Sequence, residues 1–238
     1  MMRAPLLLRR MLGGLTLAAL ASGGAAAQGA PPIATSGPAA IPPPPFMRPA
    51  AGLTGPLSKI TRTGVVTLGY REASVPFSFL DRAARPIGYS MDICAAIVEE
   101  IGHTLGRDDL KVGYEKVTSE TRLQAVADGR IDLECGSTTA NAERGKIVSF
   151  SPLIFVAGAK VMVPRATAWT SFRDLKGRTV AVTTGTTTIP ALKKLDERFG
   201  LGVKLVEAPD HEQAYQLLVD GKVEAVANDD VRRAYLGM

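Results

Sequence analysis

Two cysteines, two histidines and one tryptophan are all that the 238 residues hold of these types. Cys94 and Cys135 are too few for a disulfide-dense scaffold or a cysteine-built metal cluster. His103 and His211 do not make a His-rich centre, so neither a metal nor a cofactor is expected. Charge of one sign is also scarce: 28 basic against 23 acidic residues leave +5. No basic stripe with interleaved aromatics occurs, so nucleic acid is not an expected partner. The chain has no Walker loop, no G-x-G-x-x-G, no G-x-S-x-G and no H-E-x-x-H, which removes the usual nucleotide, serine-hydrolase and zinc-protease signatures. Past the N-terminus no apolar run is long enough to cross a bilayer.

What is present begins with an address. Arg3, Arg9 and Arg10 precede an apolar stretch over residues 11–21, and small residues end in Ala25-Ala26-Ala27. This is the layout of a secretory signal peptide over residues 1–27, cut after Ala27, and it predicts export to the periplasm. The three arginines would leave with it, taking the net charge from +5 to +2. Residues 28–57 contain nine of the 16 prolines, including Pro42-Pro43-Pro44-Pro45, and the single charge Arg48. Such a stretch buries too little to offset its ordering entropy and reads as an extended spacer.

With 46% hydrophobic residues the remainder can build a core, and from residue 58 strand and helix patterns alternate. Strands are predicted at 64–70, 112–114, 131–135, 179–183, 203–206 and 223–227. Helices are predicted at 91–105 with Ser90 as cap and Ile93, Ile97 and Ile101 as the buried side, at 120–128 ending on Gly129, after Pro190 up to Gly200, and at 212–220 ending on Gly221. One unit recurs: LQAVADGRIDL, ending at Leu133, and LLVDGKVEAV, ending at Val226, share helix end, Asp-Gly-basic and strand. A period of 92 residues is too long for a solenoid. Either this is common punctuation or the chain holds two similar α/β lobes, 58–163 and 164–238, whose strand-end loops face a cleft.

The polar loops leave alternatives open. Thr184-Gly185-Thr186-Thr187-Thr188 lacks the lysine of a phosphate loop; it could hold a carboxylate at a helix N-terminus or simply cap that helix. Cys135 reads as a buried thiol rather than a nucleophile, and Cys94 as packing; a bridge between them is conceivable after export. His211 and the pair Asp229-Asp230 are either solvated groups or ligand groups.

An ordered set of segments resembles one family. Glu134-Cys135-Gly136-Ser137-Thr138-Thr139, followed by Asn141 and Glu143-Arg144, is similar to the signature of glutamate/aspartate-binding proteins of ABC importers, in solute-binding protein family 3. Gly69-Tyr70-Arg71-Glu72, Val75-Pro76-Phe77-Ser78, Val117 to Arg122, Phe150-Ser151, Thr184 to Thr187 and Asp210-His211 match in the same order. The resemblance implies a two-lobed α/β periplasmic-binding-protein fold of type II, with a first crossover near residues 157–164. It implies that Arg144, with Ser137, Thr139 and Thr187, holds the α-carboxylate, that Asp229 pairs with the α-ammonium, and that Arg71, Ser119, Arg122 and His211 surround the distal carboxylate. Charge counting agrees, since guanidinium forks suit two carboxylates and a neutral ligand would leave arginines without an anion. The implied partners are an acidic L-amino acid and a membrane permease, with the protein a monomer. In that family the chain crosses back to the first lobe, so the resemblance implies that the second lobe ending at Met238 is incomplete. A dehydratase acting on a cyclic carboxylic acid is the competing reading on this fold, with Glu72 or Glu134 as its acid.

Overall fold

The computed structural model describes residues 53–231. The expected signal peptide, most of the proline-rich spacer and residues 232–238 lie outside the described residues. The first sheet is parallel, in the order β5-β1-β6. It is formed by β1 (Val65–Tyr70), β5 (Lys111–Lys116) and β6 (Leu133–Glu134). The residue alternation of β1 separates its faces. Val66 and Leu68 point into a core built with Ile60 of α1 (Gly55–Thr63) and with Met91, Cys94 and Val98 of α2 (Tyr89–Leu105). Gly69, on the other face, lies directly against Ile131, leaving no room for a side chain. That face is covered by α3 (Arg122–Ala127) through Ala125. Helix α1 starts inside the stretch read as spacer, because Leu57 packs on this core. A small antiparallel sheet of β2 (Ala73–Ser74), β3 (Ser78–Leu80) and β4 (Pro86–Ile87) follows β1.

The second sheet has the order β7-β10-β8-β9, from β7 (Ala159–Met162), β8 (Thr179–Thr183), β9 (Lys204–Ala208) and β10 (Ala225–Asp229). Val180 and Val182 face Leu192 of α4 (Thr188–Phe199). Ala181 and Val226 face Ala214 and Leu218 of α5 (His211–Val219). The recurring unit is structural: β9-β8-β10 repeats the parallel order β5-β1-β6. Its chemistry repeats too. Asp132 accepts the backbone N–H of Thr67 at 2.8 Å, and Glu224 that of Thr179 at 3.0 Å. Gly129 and Gly221 both turn the chain with φ near +68° (68° and 67°), where a side chain would be strained. The segment expected as a crossover carries β7, which pairs antiparallel with β10.

Three expectations are corrected. Gly88, not Ser90, occupies the N-cap position of α2; Ser90 is buried and donates to the Gly136 carbonyl at 2.7 Å. The buried stripe of α2 is Met91, Cys94, Val98 and Gly102, about one residue round from Ile93, Ile97 and Ile101. Ile93 and Ile97 instead line a groove of about 430 Å3 along β6, beside Leu123, Val126 and Leu133. The cysteines are neither isolated thiols nor simple packing: Cys94 and Cys135 form a disulfide. It ties α2 to the start of the 136–139 loop across 41 residues of sequence. Closing a loop of that size contributes about 2–4 kcal/mol. The Cys94→Ser/Cys135→Ser double variant should therefore melt roughly 5–15 °C lower by circular dichroism; an unchanged melt would show that the bridge contributes nothing.

Candidate functional site

Parallel strands deliver their following loops to one edge of each sheet. In the first lobe those loops carry Arg71 just after β1, Ser119 and Arg122 at the start of α3, and Ser137 and Thr139 after β6. In the second they carry Thr187 before α4, His211 at the start of α5 and Asp229 at the end of β10. Six of the nine expected residues, Arg122, Ser137, Thr139, Thr187, His211 and Asp229, line one cavity between the lobes. Its volume is about 10 Å3, room for roughly one water. Ser137, Thr139 and Asp229 also border the larger groove of about 430 Å3.

Arg144 spans the seam. It is nine-tenths buried, and it donates from Nη1 to the Thr139 carbonyl at 2.9 Å and from Nη2 to the Gly185 carbonyl at 3.0 Å. Thr139 and Thr187 bring their hydroxyls to 3.4 Å across the same seam. Among the described residues two of the five guanidinium N–H donors of Arg144 are used in this way. Burial lowers its pKa, and the nearby Glu134 carboxylate opposes that shift.

Arg71 is 2% exposed. Burial lowers its pKa, against the pull of Glu134 and Asp210. Its Nη1 has no hydrogen-bond partner among the described residues, and neither has the Ser119 hydroxyl. Leaving a buried guanidinium N–H unmet costs free energy that an anion would restore. Glu134 lies on Gly136, where an added Cβ would strike its Oε1 and come within 3.1 Å of the Arg71 side chain. Its Oε2 accepts from the Thr138 hydroxyl at 2.7 Å. Arg122 is equally buried, at 2%. His211 is buried, with Nδ1 3.0 Å from the Thr183 hydroxyl and 3.1 Å from the Asn228 amide nitrogen. Asp210, which caps α5 by accepting from the Gln213 N–H at 2.8 Å, holds the histidine at the helix start.

Gly185 marks where the lobes touch. Its φ is +73°, and an added Cβ would lie 2.7 Å from the Ser119 carbonyl and 2.8 Å from the Glu120 backbone. Gly185→Ala should oppose closure and weaken ligand binding at least tenfold without lowering the melting temperature of the unliganded protein by more than a few degrees. Unchanged affinity would show that closure does not bring these loops together. Glu134, Gly185 and Asn228 are neighbours that the sequence reading did not assign to the site.

Two α/β lobes of the same strand order, with buried arginines at the seam between them, define a two-lobed binding protein of the type II periplasmic class. The chain belongs to the bacterial extracellular solute-binding proteins, family 3, whose pattern matches residues 66–194. It is 42% identical over 179 residues to the L-glutamate/L-aspartate-binding protein of Pseudomonas aeruginosa, covering 75% of this chain and 59% of that one. It is 42% identical over 182 residues to the glutamate/aspartate import solute-binding protein of Salmonella typhimurium, covering 76% and 60%. The chain thus spans about 60% of the length of these curated relatives. Among solved structures it resembles an ancestral amino acid-binding protein described as a precursor of cyclohexadienyl dehydratase. That likeness has a TM-score of 0.67 and 28% identity, over 77% of this chain and 78% of that one.

Proposed function

We propose that this protein captures an acidic L-amino acid, glutamate or aspartate, between its lobes and passes it to the permease of an ABC importer. The observation that carries the reading is the set of three buried arginines: Arg122 lines the interlobe cavity, Arg144 bridges the Thr139 and Gly185 carbonyls, and Arg71 feels the Asp210 carboxylate. Buried cations need anions, and the two carboxylates of an acidic amino acid add to the Glu134 carboxylate already acting on Arg71 and Arg144. In this reading Arg144, Ser137, Thr139 and Thr187 take the α-carboxylate, and Asp229 takes the ammonium. Arg71, Ser119, Arg122 and His211 take the distal carboxylate. The names of the relatives from Pseudomonas and Salmonella support the ligand class. The protein acts as an exported monomer behind a cleaved signal peptide and a proline-rich tether, with the first lobe near residues 58–163. It is a binder rather than an enzyme.

The dehydratase precursor among its structural neighbours makes the enzymatic reading worth a direct test. Incubation with labelled glutamate, aspartate and a cyclic dicarboxylic acid, followed by mass spectrometry, should return bound amino acid unchanged. Conversion of the cyclic acid at catalytic turnover would contradict the assignment.

A further inference from the structure

The hydrogen bonds behind His211 fix which ring nitrogen carries its proton. The backbone N–H of Asp229 can only donate, and it donates to Asn228 Oδ1 at 2.9 Å. That contact sets the orientation of the amide, so the group facing His211 Nδ1 at 3.1 Å is the Asn228 NH2. An NH2 also only donates. A proton on Nδ1 would meet it donor to donor, so Nδ1 is the acceptor, and the Thr183 hydroxyl at 3.0 Å adds a second donor. The ring proton therefore sits on Nε2. Asn228, Thr183 and His211 are 3%, 2% and 7% exposed, so water does not readily substitute for any of these partners.

Charged groups near the ring bear on the same point. Arg122 lines the cavity with His211, and His211 is the first residue of α5, at the positive end of its dipole. Both disfavour an imidazolium, as burial does. Asp229, in the same cavity, and Asp210, engaged as the cap of α5, pull the other way. Arg71 adds positive charge beside Asp210. Of the other strands packed on α5, β2 and β8 carry no charged residue, whereas β9 carries Lys204 and Glu207.

We propose that Asn228 is a positioning residue that holds His211 as the neutral Nε2–H tautomer, so that the ring recognises a ligand carboxylate as a fixed donor and not as a titrating cation. This rests on the ligand reading above and deepens it: capture of an acidic amino acid then stays constant as the pH of an exported compartment drifts.

The test is 15N imidazole spectroscopy of the ligand-free protein from pH 5.5 to 8. His103, with 80% of its side chain exposed, serves as the solvent-exposed internal control. His211 should stay neutral throughout with its proton on Nε2. A His211 that titrates alongside His103, or carries its proton on Nδ1, overturns the proposal. The Asn228→Asp variant supplies a second readout. Its carboxylate accepts from Nδ1–H, so His211 should titrate, and above that midpoint Nε2 turns from donor to acceptor. Glutamate affinity, flat with pH in the natural protein, should then fall about tenfold from pH 6 to pH 8. A flat profile in a variant whose spectrum shows Nδ1–H would overturn the link from tautomer to binding. Because the tautomer is read without ligand, failure to bind glutamate would sink the ligand assignment separately.

Discussion

Arg144→Ala should weaken amino-acid binding of every kind, acidic or neutral, by at least about 30-fold in titration calorimetry. The guanidinium holds the Thr139 loop of the first lobe and the Gly185 loop of the second through two carbonyls. In the proposed reading its other N–H donors would take the carboxylate that every amino acid carries. Truncating one partner of a buried, hydrogen-bonded charge pair costs about 2–5 kcal/mol, and each 1.4 kcal/mol is about tenfold in affinity. The exposed Arg173→Ala serves as a control and should bind normally. Loss confined to acidic ligands would move Arg144 to the distal end of the site.

Arg71→Ala and Arg122→Ala should behave differently from Arg144→Ala and from each other's controls. Each should weaken glutamate and aspartate by about 30–1000-fold, through the same cost of about 2–4 kcal/mol for a lost buried pair. Glutamine, which presents no distal charge, should change by less than about fivefold. A site that pairs a buried charge discriminates strongly against ligands lacking it, so the preference for acids should collapse in both variants. Equal losses for glutamine would contradict a distal-carboxylate role. Arg71 is the sharper of the two tests, because its buried Nη1 has no hydrogen-bond partner among the described residues.

Much of this architecture is legible because glycine and aspartate punctuate the chain where backbone geometry demands it. Asp128-Gly129 and Asp220-Gly221 end a helix and turn into a strand in both lobes, and the shared strand order follows from that repeat. Strand β1 could be read from its β-branched residues, and α4 from Pro190 and Gly200 near its ends. Features that depend on rotation and approach were not legible. The rotation of α2 decides whether Ile93 or Cys94 faces the core, and the wide apolar face of that helix permits either. The bridge to Cys135 follows from that rotation, not from spacing. The approach of Gly185 to the 119–120 backbone joins residues up to 66 apart in sequence, one from each lobe. Asn228 is invisible for a similar reason, since its meaning lies in the His211 ring brought to it from α5.

The site itself was more legible than its supports. Short polar loops at strand ends can be located from the strands alone. The second layer, Glu134 beside Arg71 and Asn228 behind His211, comes from packing that no local pattern encodes. The small interlobe cavity shows the two halves meeting on the residues expected to hold a ligand. Opening about a hinge would then admit the amino acid, and closure would bring Arg144 and Gly185 together around it.

The most direct test is calorimetric titration of the purified protein with L-glutamate, L-aspartate and L-glutamine at pH 7, with a circular dichroism melt on the same sample. Saturable 1:1 binding of glutamate or aspartate at least about 100-fold tighter than glutamine, in a cooperatively melting protein, is the predicted result. A cooperatively melting protein that binds glutamine as well as the acids, or binds none of the three, would contradict it.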